Sequence, residues 1–168
     1  MEKDIAAALA DVAQNRKEII ERLIGFSETD LLLFWGENKD LAERQQKLWQ
    51  PILDWAQREL NVRLKTTQGI DVPAQEEEMS DRMRAFLDGL NDHQLLAFFK
   101  AALDMRSVLL AAALVKGQIN AEQAFEAAFV EELWQSENWG VVEETAQRWN
   151  ELKGELKEIE AFLKNGGK

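Results

Sequence analysis

Two prolines in 168 residues, Pro51 and Pro73, and apolar residues recurring at three- and four-residue steps restrict this chain to long helices. Ala, Leu, Glu, Lys, Gln and Arg dominate the composition, and these are the residues that lose least on entering a helix. Hydrophobic residues make up 46% and charged residues 30%, so the chain can bury a core and is not a disordered polymer. Its length suits one ordinary domain and is short for two. The expected fold is mainly α: a single-domain helical array of six to seven helices over 1–164, with at most one short strand pair, and a flexible tail at 165–168.

The apolar pattern places the elements. Ile5, Leu9, Val12, Ile19, Ile20 and Leu23 share a stripe and predict a helix over 2–24, stopped by Gly25. Leu31-Leu32-Leu33-Phe34-Trp35 is a continuous apolar run too short for a helix and reads as a buried strand or extended segment, a choice that periodicity leaves open. Its only plausible strand partner is the alternating Val62-Arg63-Leu64-Lys65-Thr66. Leu41, Leu48, Ile52, Trp55 and Ala56 predict a helix over 40–60, with a kink or restart at Pro51. After the loop Asp71-Val72-Pro73-Ala74, an acidic helix is expected over 75–90. Asn91 and Gln94 form a capping-box pattern opening the most apolar helix, 91–116, where Phe99, Leu103, Leu110 and Leu114 are expected fully buried and Gly117 closes the end. Asn120 and Gln123 repeat the capping box for a helix over 120–138, which breaks at Gly140. Val142, Ala146, Trp149, Leu152, Leu156, Ile159 and Leu163 form the seam of a last helix over 142–163.

Most function classes are excluded by what is missing. A net charge of −11 makes nucleic acid or an anionic membrane a poor partner, because phosphate contacts need clustered Lys and Arg. The absence of cysteine removes disulfides, thiolate zinc sites and cysteine nucleophiles together. No apolar stretch approaches the roughly 18 residues a membrane helix needs. Met1-Glu2-Lys3-Asp4 reads as neither a signal peptide nor a transit peptide, so a bacterial cytoplasm is expected, or the mitochondrial matrix for a chain whose presequence has been removed. His93 has no Glu three residues before it, no glycine-rich phosphate loop exists, and no histidine is placed to activate Ser27, Ser80, Ser107 or Ser136. Glu76-Glu77-Glu78 suits the N-terminus of a helix as a solvated face. No enzyme activity, metal or cofactor is expected.

One segment asks for more than a helical default: Phe129-Val130-Glu131-Glu132-Leu133-Trp134-Gln135-Ser136-Glu137-Asn138-Trp139-Gly140. Two tryptophans five apart alternate with acids and amides before a helix-ending glycine. Tryptophan is enriched at interface hot spots, and a core does not hold unpaired acids. The structural reading packs Trp134 and Trp139 under the helix corner with their indole N–H groups satisfied. The functional reading makes Glu131, Glu132, Trp134, Gln135, Glu137, Trp139 and Gly140 a partner-binding surface.

This segment resembles the acidic-acidic-x-aromatic-Gln-x-x-x-Trp-Gly signature of the ATP-twelve chaperones. Ser107-Val108-Leu109-Leu110 and Gly117-Gln118-Ile119-Asn120-Ala121-Glu122-Gln123-Ala124 are similar to the family's small-residue helix, turn and following helix start. Thr29-Asp30-Leu31-Leu32, Gln46 and Trp49-Gln50-Pro51-Ile52-Leu53-Asp54-Trp55 resemble its earlier blocks. The family usually carries Cys, Tyr and Arg at Leu33, Phe34 and Trp35, Asp at Gln50, Arg at Phe129 and an acid at Val142, and its N-terminal β-rich domain has no counterpart here. The resemblance implies an assembly chaperone for F-type ATP synthase that binds the unassembled α subunit and prevents its aggregation until the β subunit arrives. Glu131, Glu132 and Glu137 would then face basic groups on that client. The alternative is a diverged helical interaction module that has lost this client.

Overall fold

The computed structural model describes residues 5–166, and most of them are α-helical. The expected first helix is two helices, α1 (Ile5–Gln14) and α2 (Arg16–Ser27). They part at Asn15, whose amide donates back to the carbonyl and carboxylate of Asp11 at 3.1 and 2.9 Å and so competes with the helical ladder. Gly25 does not stop α2, which continues to Ser27. Leu31–Leu33 then form a 3₁₀ turn rather than a strand, and Phe34–Trp35 form β1.

The single short strand pair among the described residues is parallel, between β1 and β2 (Thr67–Gln68), in the register Phe34↔Thr67 and Trp35↔Gln68. It lies a few residues beyond the partner segment expected from sequence. Residues 62–66 show the alternation that suggested a strand, with Val62 and Leu64 buried and Arg63 and Lys65 outward. Their edge is occupied otherwise: the Gln75 amide accepts from the Lys65 N–H (2.8 Å) and donates to the Lys65 carbonyl (3.0 Å). Alternation reported one buried face, not a ladder.

Helix α3 (Lys39–Trp55) starts on the Asn38 side chain, which accepts from the N–H groups of Asp40 and Leu41. It runs through Pro51 without a restart. Pro51 is exposed, as is Lys47, whose carbonyl the proline leaves unpaired, so water can satisfy that group. The irregularity comes one turn later as a π-turn, Ala56–Leu60, closed by Asn61 in the left-handed region at φ 56. Helix α4 (Glu77–Asp88) follows.

The expected 91–116 helix is also divided, into α5 (Asp92–Met105) and α6 (Val108–Val115). Arg106 adopts φ 56 and Ser107 is extended, because a fully buried carboxylate from elsewhere supplies the cap. Asp30 Oδ1 accepts from the Leu32 N–H (3.0 Å) and the Ser107 hydroxyl (2.7 Å), and Oδ2 accepts from the N–H groups of Val108 (2.7 Å) and Leu109 (3.1 Å). The Leu31 N–H closes the junction on the Arg106 carbonyl at 3.0 Å. Burial pushes the Asp30 carboxyl above its ordinary value, with the four donors pulling the other way.

The break resets the helical phase, and the expected core changes with it. Leu110 and Leu114 are buried, but Leu103 is 48% exposed and Phe99 only half-buried. In one continuous helix, Leu103 and Leu110 are two turns apart on one face. With Arg106 interposed, α5 instead buries Leu95, Leu96, Phe98, Ala101, Ala102 and Met105. Every residue of α6 from Val108 to Leu114 is buried, which makes this short helix the centre of the core. Gly117 closes it at φ 73, as expected.

The Asn120 capping box with Gln123 is formed. The helix it opens is likewise two, α7 (Ala121–Ala128) and α8 (Val130–Trp139). At their junction the buried Trp49 indole donates to the Ala127 carbonyl at 2.8 Å, a group a continuous helix would use internally. Helix α9 (Glu143–Gly166) packs along α5 and α7 through Trp149, Leu156 and Ile159. Near its end Phe162 stacks on His93, ring centroids 5.3 Å apart. It includes Asn165 and Gly166, and the other two tail residues, Gly167 and Lys168, lie outside the described residues. The described residues thus hold nine α-helices where six to seven were expected. Three expected helices are each cut in two, at Asn15 by that residue's own amide and at Arg106 and Phe129 by side chains reaching in from remote segments.

Candidate functional site

Helix α8 is anchored at its start by Val130, which is buried, and by Phe129 stacked on Phe125 at 4.8 Å. One helical face therefore points inward, and the seven candidate residues divide by face. Glu132 points toward α9, where it pairs with the Arg148 guanidinium and accepts from the Trp149 indole N–H at 3.3 Å. Trp134 is half-buried and donates its indole N–H to Asp40 Oδ2 at 2.9 Å. Glu137 takes both terminal nitrogens of Arg44, with Nη2 to Oε1 at 3.0 Å. That guanidinium holds the Glu137 carboxyl below its ordinary value. Glu132, Trp134 and Glu137 thus tie α8 to α9 and to the first turns of α3. Two of the three acids expected to face a client are engaged within the chain.

The remaining candidates are open. Glu131 and Gln135 are exposed, and Glu131 has no ion-pair or hydrogen-bond partner among the described residues. Gly140 adopts φ 77 and ψ −179, a backbone conformation that side chains disfavour, and it ends α8 sharply. The turn throws Trp139 outward. Trp139 is 86% exposed, so of the two readings of this residue the one that packs it under the corner is overturned. Val141 and Val142 are exposed beside it. Val142 was expected on the α9 seam, but α9 begins at Glu143 and its first buried residue is Trp149, which leaves 141–142 as a bridge with no helix face to bury them.

A groove of about 370 Å³ runs between α8 and α9, lined by Gln135, Trp139, Val141, Val142, Thr145 and Trp149 among others. Its chemistry is that of binding: an apolar lining of Trp139, Val141, Val142 and Trp149, with the Gln135 amide, the Ser136 and Thr145 hydroxyls and the Arg148-paired Glu132 carboxylate among them. No group of three or more potential metal ligands converges among the described residues, and no helix there is long and apolar enough to cross a membrane. Val141 was not singled out from sequence. Its signal was the pair of valines directly after Trp139-Gly140, which periodicity assigned to the following helix.

A protein-family model described as ATP12 chaperone protein matches residues 3–57. The mitochondrial protein atp12 of Schizosaccharomyces pombe is 30% identical over 158 residues, which is 87% of this chain and 54% of the relative, so the chain spans about half that relative's length. The crystal structure of Atp12 from Paracoccus denitrificans superposes with a TM-score of 0.88 at 26% identity, covering 94% of this chain and 68% of that one. The Atu1473 protein of Agrobacterium tumefaciens superposes with a TM-score of 0.85 at 26% identity, covering 96% and 60%. A family model over residues 3–57, a curated relative 30% identical over 87% of this chain and solved structures that share its fold at 26% identity converge: over the residues it spans, the chain belongs to the ATP12 chaperone family.

Proposed function

We propose that this chain is an assembly chaperone for F-type ATP synthase that binds the unassembled α subunit through the α8–α9 corner and keeps it from aggregating until it meets the β subunit. The observation that carries this reading is Trp139, exposed together with Val141 and Val142 at the end of the helix that also carries the unpartnered Glu131. An indole left in water on a rigid helix end is a hot-spot anchor awaiting a surface. An orphan ATPase subunit exposes apolar area normally covered by its neighbours, and such area is what aggregates. An apolar anchor with an acidic rim can cover it reversibly, and no bond is made or broken. The bacterial and mitochondrial relatives fit a bacterial cytoplasm or a mitochondrial matrix as the place where this happens.

The experiment is aggregation of purified α subunit with and without the chain. Trp139→Ala with Glu131→Lys removes the anchor and reverses the free charge without touching the internal pairs of Glu132 and Glu137. Its melting temperature should stay within a few degrees of wild type, since exposed substitutions change stability by about 0.5 kcal/mol or less. Protection of the α subunit should be lost. A variant that folds and still protects would remove this corner from the function.

A further inference from the structure

A second apolar tip stands apart from the α8–α9 corner. Ile70 is 93% exposed and Val72 is exposed two residues on, in the segment between β2 and α4. This segment is braced on both sides. The Gly69 N–H donates to the Trp35 carbonyl (3.3 Å) and the Gln68 amide donates to the Gly36 carbonyl (3.4 Å). On the return, Gln75 is bonded both ways to the Lys65 backbone and reaches the Pro73 carbonyl at 3.4 Å. The base is fixed to the core, since the Trp35 ring meets the buried Trp49 edge-on at 5.8 Å. Two aliphatic side chains are therefore held in water by a structured loop. Apolar groups presented in this way mark interaction surfaces.

The surroundings state the chemistry of what would cover them. Asp71 between the two, Glu37 against Gly69, and Glu76, Glu77 and Glu78 where the chain goes on into α4 are all exposed, and none has an ion-pair partner among the described residues. Lys65 at the base is the nearest base in sequence. The tip also adjoins the first turns of α3: Glu37 Oε1 lies 3.9 Å from where a Cβ on Gly69 would sit. Asp40, three residues on, holds Trp134, and Arg44, one turn later, holds Glu137. At 1.5 Å per residue, Asn38 and Arg44 are about 9 Å apart along the helix. The two apolar tips therefore flank the N-terminal turns of α3.

We propose that the Ile70–Val72 tip is a second docking point, received together with the Trp139 corner by one polypeptide partner whose contact surface is apolar with a basic rim. This rests on the chaperone reading above and extends it from one contact to two. A second copy of the chain does not fit, because two bodies each carrying a net charge of −11 repel.

The test uses the full chain and purified α subunit. Ile70→Ser with Val72→Ser should melt at the wild-type temperature, because neither side chain contributes to the core. It should require at least about tenfold more chain to suppress α-subunit aggregation, the loss expected when a buried apolar anchor is removed. A photo-crosslinking residue at position 70 of an otherwise native chain should give an adduct with the α subunit. Full protection by the serine variant without an adduct at 70, while Trp139→Ala fails to protect, overturns the second docking point and leaves the chaperone reading standing. Failure of the wild-type chain to protect overturns both. A dimer in sedimentation velocity that the serine variant abolishes makes a second copy the occupant and overturns the proposal.

Discussion

Asp30 offers the sharpest check on how this fold is held together. Its two oxygens take four donors from three places: Leu32 in its own segment, the Ser107 hydroxyl, and the first two N–H groups of α6. In Asp30→Ala the serine hydroxyl can turn to another acceptor, but three buried N–H groups lose theirs. At about 1–3 kcal/mol for each unsatisfied buried donor, the gross loss is roughly 3–9 kcal/mol. Removing the carboxylate also removes its own burial penalty, the same effect that raises its pKa, so the net loss belongs near the low end, about 3–4 kcal/mol. Against a typical total of roughly 5–15 kcal/mol, that is a large fraction. Asp30→Asn keeps the shape and one acceptor oxygen and should lose only about 1–2 kcal/mol. Because the folded pKa is raised, lowering the pH through it adds to wild-type stability relative to Asp30→Asn, until the ordinary carboxylate value is reached. Urea denaturation with an unchanged m-value measures all three. A loss below about 1 kcal/mol for Asp30→Ala refutes the capping account, since even one orphaned buried donor costs that much. Equal losses for Ala and Asn would show that charge, not acceptor geometry, is what matters.

Two further measurements test the core and its titration. Leu110→Ala should cost about 2–5 kcal/mol as a buried truncation at the centre of α6, whereas Leu103→Ala on the open face of α5 should cost about 0.5 kcal/mol or less. Comparable losses would mean that α5 and α6 share one helical phase after all. Asp104, on α5, is pushed up to about 7 by burial and then by the nearby Glu155 carboxylate of α9, with Lys100 opposing. The folded chain therefore keeps a proton that the unfolded chain has released. This contribution is full below the ordinary carboxylate range and disappears as the pH rises through about 7. Between pH 5.5 and 8.5 the wild-type melting temperature should fall more steeply than that of Asp104→Asn, which is neutral beside Glu155 at every pH. Parallel slopes would exclude a shared proton at this helix contact.

What the sequence determined by itself are the features set within one turn of chain. The capping boxes at Asn91 and Asn120 and the left-handed stops at Gly117 and Gly140 are local hydrogen-bonding and backbone preferences, and each stands where the residues put it. The helical class follows from the apolar period, and the family was legible in ordered blocks from Thr29 to Gly140. The tertiary structure alone decided where helices are interrupted. Asp30 takes the N–H groups that would have continued α5 into α6, and Trp49 takes the carbonyl between α7 and α8, each from some 80 residues away. Periodicity carries no record of a competing partner at that separation. The same holds at the α8–α9 corner. Glu131, Glu132 and Glu137 are chemically alike in sequence, and only the positions of Arg44 and Arg148 leave the first of them free. For Trp139 the sequence leaves a packed and a partner-binding reading open, and only the fold, with Gly140 ending α8, leaves the indole exposed.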